Sequence, residues 1–275
     1  MRVFWVISSM LFSSALFGQY YFNDIIAIQR GNDQYRLLRS NKIKRIKATS
    51  FEPDNSITDG FALEEEISLD GKKIIQSTAL SSGKSSVTTR NYEAGKLKST
   101  QSTNNGIESK NEIKYHETGL VQRVTLTTTD TSMKEGLSDV HEWNYDAAGK
   151  IAFMLKIKNK TDTLYIEFTK DEAGNIIEEK WKKKNRVTET YYYYYDQKNQ
   201  LTDIVRYNTR LKKLLPDFQY EYDSNGRIIQ MTQFSLSLSN YLIWKYTYSD
   251  KGLKLSENGF DKEKKLIGRI QYQYE

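Results

Sequence analysis

One short sequence unit recurs along this chain and constrains its fold more than any other feature. Its clearest copy covers residues 220–228 and reads Tyr-Glu-Tyr-Asp-Ser-Asn-Gly-Arg-Ile. The turn position of the unit, usually a glycine, recurs at spacings of 24 to 30 residues. Such repetition indicates that one supersecondary unit is stacked many times. The turn positions are Gly71, Gly95, Gly119, Gly149, Gly174, Asn199, Gly226 and Gly252.

Each unit predicts a strand, a tight turn and a second strand. Tyr220 and Tyr222 precede the turn by six and four residues, and Tyr145 repeats the second of these positions. Alternate residues of a strand share a face, so the tyrosines predict an aromatic stripe on one side of a sheet. Asp223 and Asp146 stand where a carboxylate can accept from backbone N–H groups two residues on, and the glycine supplies a positive φ.

These hairpins predict an all-β fold. We expect an antiparallel meander of repeated β-hairpins that forms one long sheet, either twisted and open or curled into a barrel-like shape. The eight units, together with a strand at residues 42–51, give about 16 to 18 strands. The repeat domain is predicted to span residues 42–275.

Two other parts of the chain have weaker signals. Residues 19–41 are predicted to form an N-terminal segment with a short helix, capped by Asn32 or Asp33, that covers one open end of the sheet. Residues 81–91 and 127–140 are rich in serine, threonine and charge, and we expect them to be long loops between hairpins.

Residues 1–18 read as a secretory signal peptide. Arg2 precedes an apolar stretch, and Gly18 is a small residue at a cleavage point before Gln19. The chain contains no cysteine, so neither a disulfide nor a lipid anchor at the cut is expected. We therefore predict a bacterial protein that is secreted, periplasmic or on the cell surface, with no transmembrane span in the mature chain.

The repeat unit resembles the YD repeat of RHS-type proteins, whose units read roughly Tyr-x-Tyr-Asp-x-x-Gly-Arg-Leu. Residues 220–228 match nearly in full, the units at Tyr145 and Tyr195 match in part, and those at Gly71 and Gly95 are degenerate. The resemblance covers roughly residues 65–275 and implies an extended, curved β-sheet. The largest family members enclose a toxin domain, but this chain is too short to build such a shell. The resemblance therefore implies a fold and no activity.

The sequence has no arrangement typical of catalysis. His116 occupies a turn position where other units have aspartate, and His141 opens a strand and is expected to face solvent. Neither has a histidine or cysteine at ligand spacing, so we predict no metal, no cofactor and no catalytic residue. Basic runs at residues 42–47 and 180–186 fit a solvated strand face and a strand end, so no nucleic-acid partner is predicted.

The densest aromatic feature is the run of five tyrosines at residues 191–195. If one face of this strand joins the core, Tyr192 and Tyr194 project from the other. Exposed tyrosines can stack on sugar rings or anchor a protein partner. Together with Trp181, they are the candidate binding residues.

The favoured function is a non-catalytic exported repeat module that binds an envelope protein or a polysaccharide. One alternative is a polysaccharide-acting enzyme whose site is assembled from distant loops, with Asp203 and Glu221 as a conceivable carboxylate pair. Another is an outer-membrane barrel, against which charges on both strand faces argue.

Overall fold

The computed structural model describes residues 19–275 except 81, 84, 105, 131–135, 210 and 236–239. The predicted signal peptide lies outside the described residues. Within them, a π-helical turn at Tyr21–Ile26 continues into helix α1, Ala27–Ser40, and eighteen strands follow. The strands are β1 Arg45–Phe51, β2 Ala62–Ile67, β3 Lys73–Ala79, β4 Ser85–Glu93, β5 Lys96–Asn104, β6 Ile107–Tyr115, β7 Val121–Asp130, β8 Leu137–Tyr145, β9 Ile151–Lys158, β10 Asp162–Lys170, β11 Ile176–Lys183, β12 Arg186–Tyr195, β13 Leu201–Asn208, β14 Lys213–Tyr222, β15 Ile228–Phe234, β16 Tyr241–Tyr248, β17 Lys254–Phe260 and β18 Leu266–Tyr274.

The strands form a closed barrel. Each strand pairs antiparallel with the next one along the chain, and β1 also pairs antiparallel with β18. In that closing pair Ile46 lies opposite Tyr274 and Ser50 lies opposite Ile270. The predicted all-β meander of hairpins is confirmed, and of the two shapes expected for it the sheet adopts the curled one.

The turn chemistry predicted for the repeat is present in atomic detail. The Asp223 Oδ1 atom accepts from the backbone N–H groups of Asn225 and Arg227, both at 2.9 Å. Gly226 has a φ of 79° and donates its N–H to the Asp223 carbonyl at 3.1 Å. Asn199 takes over the glycine position with a φ of 58°, since asparagine tolerates this conformation better than most residues.

A hydroxyl ladder explains why the second aromatic position is so regularly tyrosine. In six units its hydroxyl donates to the backbone carbonyl at the start of the previous hairpin's second strand, at 2.6 to 2.9 Å. Each bond links two neighbouring hairpins, which phenylalanine could not do. The pairs are Tyr115 to Leu97, Tyr145 to Val121, Tyr195 to Ile176, Tyr222 to Leu201, Tyr248 to Ile228 and Tyr274 to Lys254.

Removing one rung should have a measurable effect. We expect Tyr222→Phe to lower the free energy of unfolding by about 0.5 to 1.5 kcal/mol, because the Leu201 carbonyl loses its donor. Urea unfolding followed by fluorescence measures this loss. Tyr194→Phe is the matched control, since Tyr194 is 46% exposed and should change stability by less than about 0.5 kcal/mol. Equal effects from both variants would show that the ladder contributes nothing.

The helix begins earlier than the sequence predicted. It starts at Tyr21, so Asn32 and Asp33 lie within α1 and the prediction that either caps its start is wrong. Asn32 instead accepts the backbone N–H of Leu97 at 2.8 Å, and Asp33 pairs with Arg36 on the helix surface. In the sequence, Asn32 could not be distinguished from a helix-capping residue, although its side chain binds a neighbouring strand.

The helix from Tyr21 to Ser40, called here the internal helix, lies inside the barrel. A helix outside a closed sheet could touch only a few adjacent strands, whereas this one and the two residues before it reach strands around the ring. The helix therefore lies within the ring of strands, and its Tyr35 hydroxyl reaches the hairpin turn at Gly71. The residues contacted include Gly71 after β2, Tyr92 on β4, Trp143 on β8, Glu179 on β11, Tyr193 on β12 and Phe218 on β14.

Two predicted loops are mostly strands. Residues 85–91 belong to β4, and most of 127–140 belongs to β7 and β8, so that prediction is wrong wherever the chain is described. The inner face on this side of the barrel carries small polar side chains instead of aromatic ones. Thr88 lies opposite Ser102, and Ser109 lies opposite Thr128. The alternation of hydrophobic and polar residues that marks a strand is therefore absent. Residues 53–60 lie in the connection between β1 and β2.

Candidate functional site

The tyrosine run of β12 divides between the two faces of the barrel as alternation predicts. Tyr193 faces inward and is 2% exposed, whereas Tyr194 faces outward and is 46% exposed. Tyr192 shares the outer face and lies opposite Val205 of β13. On the next pair of strands Tyr207 lies opposite Leu214, and both are exposed. We call Tyr192, Tyr194, Val205, Tyr207 and Leu214 the outer tyrosine surface.

A row of polar side chains adjoins this surface. Tyr194 lies directly opposite Asp203, which lies opposite Gln219 on β14. Gln219 donates its amide to Asp203 Oδ1 at 2.8 Å, and Gln230 donates to Glu221 one row further along. Together with their neighbours, these four side chains line a shallow outer depression, called here the polar groove. Its lining is Thr202, Asp203, Gln219, Tyr220, Glu221, Gln230 and Thr232.

The two features have complementary chemistry. A tyrosine ring offers a flat apolar face for the C–H groups of a sugar, while carboxylates and amides hydrogen bond with its hydroxyls. The suggested carboxylates Asp203 and Glu221 do lie in one groove, on adjacent strands, although on strand faces and not on loops. Across the described residues, no group of three or more histidines or acids could hold a metal ion. In the same part of the chain, no helix is long and apolar enough to span a membrane.

Trp181, the third candidate binding residue, lies on the opposite face from Tyr192 and Tyr194. Its ring stacks on Tyr20 at a centroid distance of 4.6 Å, and its Nε1 donates to Glu179 at 2.7 Å. Trp181 is therefore part of the barrel interior, and its grouping with the outer tyrosines is corrected. Its neighbours Lys180 and Lys182 point outward, so alternation alone indicates an inward tryptophan.

Three buried acids hold the internal helix in place, and sequence reasoning missed all of them. Glu179 is fully buried, and its Oε1 accepts from the Tyr20 N–H at 2.9 Å. Its Oε2 accepts from the Tyr21 N–H at 3.0 Å and from the Tyr193 hydroxyl at 2.6 Å. Burial raises the pKa of Glu179, while the hydrogen bonds from Tyr193 and Trp181 oppose that rise.

The second acid, Asp24, belongs to the internal helix itself. Its Oδ2 atom lies 2.7 Å from His141 Nδ1 and 3.0 Å from Trp143 Nε1. His141 is 5% exposed, so the expectation that it faces solvent is wrong. Because His141 and Trp143 are two residues apart on β8, they share the inner face, and that spacing was the available signal. His116 lies in a turn, as predicted.

The third acid, Asp217, is 1% exposed and lies between Arg206 and Gln19. Arg206 Nε is 3.1 Å from Asp217 Oδ1, and the Gln19 amide donates to Oδ2 at 2.6 Å. Burial raises the pKa of Asp217, and Arg206 acts in the opposite direction. Glu179, Asp24 and Asp217 thus bind the helix and the two residues before it to three different strands. We call these three acids the buried anchor.

Comparisons with known proteins give structural similarity only. No protein-family model matches the sequence, and no curated protein matches it. A porin-like protein from Bacteroides uniformis overlaps with a TM-score of 0.40 at 10% identity, covering 85% of this chain and 98% of that one. A porin-like protein from Bacteroides vulgatus overlaps with a TM-score of 0.31 at 13% identity, covering 83% and 97%.

A third overlap is with the solved structure TcdB2-TccC3-TEV. Its TM-score is 0.30 at 12% identity, and it covers 78% of this chain but only 16% of that one. Similarity at these levels says nothing about what this chain binds.

Proposed function

We propose that the protein is a non-catalytic exported module that binds a glycan at the bacterial cell envelope. The observation that carries this proposal is the outward row in which Tyr194, Asp203 and Gln219 are direct cross-strand neighbours. A sugar ring stacked on Tyr194 would place its hydroxyls over the carboxylate and the amide. The predicted leader supports export.

The sheet is well suited to present such a row. Strand residues projecting from a closed barrel keep fixed distances, so little conformational entropy is lost when a ligand binds. The inner neighbours of the row are packed, since Tyr193 and Ile204 are both almost fully buried. Binding of an extended polysaccharide across several strands needs no enclosed pocket, and the polar groove is open to solvent on the outside.

The outer surface of the barrel favours contact with water over contact with lipid. Outward-facing ion pairs occur at well-separated places around the ring. An outward lysine or arginine at the middle of a bilayer would cost about 2 to 4 kcal/mol. These charges argue against the outer-membrane alternative and support a water-exposed module. The pairs are Arg45 with Glu64 and Glu66, Lys110 with Glu112, and Lys182 with Glu167.

Glycan binding can be tested with a matched set of tyrosine variants. The protein is screened on an array of bacterial envelope polysaccharides, and each ligand found is titrated by calorimetry. We expect Tyr194→Ala to weaken binding tenfold or more, which corresponds to about 1.4 kcal/mol. Tyr165→Ala is the control, because Tyr165 is similarly exposed at 38% but lies on β10, outside the outer tyrosine surface. Unchanged affinity in Tyr194→Ala would sink the proposal.

The same ligands distinguish a binding module from an enzyme. Asp203 and Glu221 share the polar groove, which is the observation that favours the enzyme alternative. Each bound polysaccharide is therefore incubated with the protein, and new reducing ends are measured. We expect none. Turnover that disappears in both Asp203→Asn and Glu221→Gln would replace the binding module with a glycoside-cleaving enzyme.

A further inference from the structure

Gln19 lies two residues before the internal helix. It is fully buried inside the barrel, where its side-chain amide donates to Asp217 at 2.6 Å. Its Oε1 atom is also buried, and no donor among the described residues reaches it. The residue is therefore held in the interior next to the buried anchor.

Carboxylates outnumber cations in this part of the barrel. All the hydrogen-bond donors to Glu179 are neutral groups, and no described cation forms an ion pair with it. Arg206 is already paired with Asp217 at 3.1 Å. The half-buried Glu189 adds a third carboxylate, which interacts electrostatically with Arg206 and with Asp217. Lys156, whose Nζ lies 5.1 Å from the centroid of the Tyr20 ring, pairs with Asp139 at 3.0 Å.

The backbone nitrogen of Gln19 is tied by short covalent paths to two groups that contact these carboxylates. Three covalent bonds separate it from the nitrogen of Tyr20, whose N–H is 2.9 Å from Glu179 Oε1. Its own side chain contacts Asp217. Covalent geometry places a positive charge on the Gln19 nitrogen at most about 7 Å from Glu179 Oε1 and at most about 9 Å from Asp217 Oδ2.

We propose that the Gly18–Gln19 bond is a processing site and that the α-ammonium group created on Gln19 is a structural counter-ion of Glu179 and Asp217. Hydrolysis by water leaves a carboxylate on Gly18 and an amine on Gln19, which is protonated near neutral pH. Because Gln19 is buried, cleavage precedes closure of the barrel around the internal helix. This inference rests on the export part of the proposed function.

The buried ammonium has a chemical consequence. A free N-terminal glutamine can cyclise when its neutral amine attacks its own side-chain Cδ and expels ammonia. The protonated amine has no lone pair for this attack. We therefore expect the folded protein to retain glutamine at its terminus, whereas the unfolded chain cyclises on incubation near neutral pH. Mass spectrometry detects the loss of one ammonia. Equal cyclisation in both states overturns the inference.

A stability comparison tests the counter-ion directly. Residues 19–275, which contain the internal helix and every strand of the closed barrel, are released by a protease that leaves Gln19 first. The same chain with Gly-Ser before Gln19 is the matched partner. We expect the extended form to melt at least about 5 °C lower, because the ammonium is moved away from its carboxylates. Identical melting temperatures overturn the inference.

Double-mutant cycles assign the effect to the named acids. In Glu179→Gln the difference between the two N-terminal forms should shrink by half or more, and Asp217→Asn provides the same test where the first variant does not fold. An undiminished difference in the folded variant overturns the assignment. Glycan binding is also measured on the two N-terminal forms. If neither form binds a glycan, the proposed function is wrong, but the melting comparison still tests the counter-ion.

Discussion

Glu179→Ala is expected to lower the free energy of unfolding by about 3 to 5 kcal/mol, one of the largest single effects in the barrel. The variant removes the acceptor for two backbone N–H groups at the start of the internal helix. It also leaves the Tyr193 hydroxyl and the Trp181 indole without a partner. These donors are buried with little access to water. Urea unfolding and amide exchange of residues 20–26 measure the loss.

The neighbouring acid supplies a control for this effect. Glu178 points outward on the same strand and pairs with Lys180 at 2.7 Å. Since an ion pair on the outer surface contributes little even when it is partly covered, Glu178→Ala should change stability by no more than about 1 kcal/mol. If Glu179→Ala lowered the free energy of unfolding no more than Glu178→Ala, Glu179 would not hold the internal helix in place.

Trp143→Ala is expected to cost a similar amount, about 3 to 5 kcal/mol, but mainly through lost packing. Trp143 is 2% exposed and stacks on Phe168 at a centroid distance of 5.4 Å. Its removal leaves a cavity between β8, β10 and the internal helix. It also removes the indole donor to Asp24, so the helix loses part of a second attachment. The free energy of unfolding measured in urea gives the total loss.

Phenylalanine separates the two contributions. Trp143→Phe keeps an aromatic ring but removes the hydrogen bond to Asp24, whereas Trp244→Phe makes the same change in a buried tryptophan on the far β16. We expect Trp143→Phe to cost about 1 to 3 kcal/mol more than Trp244→Phe, because a hydrogen bond to a buried charge is lost. Equal costs would mean that the Asp24 bond adds nothing to stability.

Features that are local in sequence could be predicted, and features that depend on distant pairing could not. Asp223 and Gly226 determine a turn within five residues, so the hairpins followed from the sequence. Closure depends on Ile46 meeting Tyr274, and no local pattern encodes that partner. The buried contacts that hold the internal helix were not predicted for a related reason, since Glu179 resembles any solvated acid of a strand until its neighbour Trp181 is seen to face inward.

The candidate site shows the same division. Alternation along the run at residues 191–195 was enough to place Tyr192 and Tyr194 outside. It could not show that Asp203 and Gln219 complete a row with Tyr194, because this depends on the register of three strands. Trp181 was grouped with the outer tyrosines, although its neighbours Lys180 and Lys182 take the outward positions and leave it facing inward.

The pairing of β1 with β18 changes how an array of repeats can come apart. In a linear stack the end units have a single neighbour and fray first. Joining the two ends leaves every described strand with a partner on both sides, so no hairpin can detach without breaking two interfaces. Partial melting therefore has no natural starting point along the ring. We expect native-state amide exchange to report one common opening energy for the strands instead of a gradient from the ends.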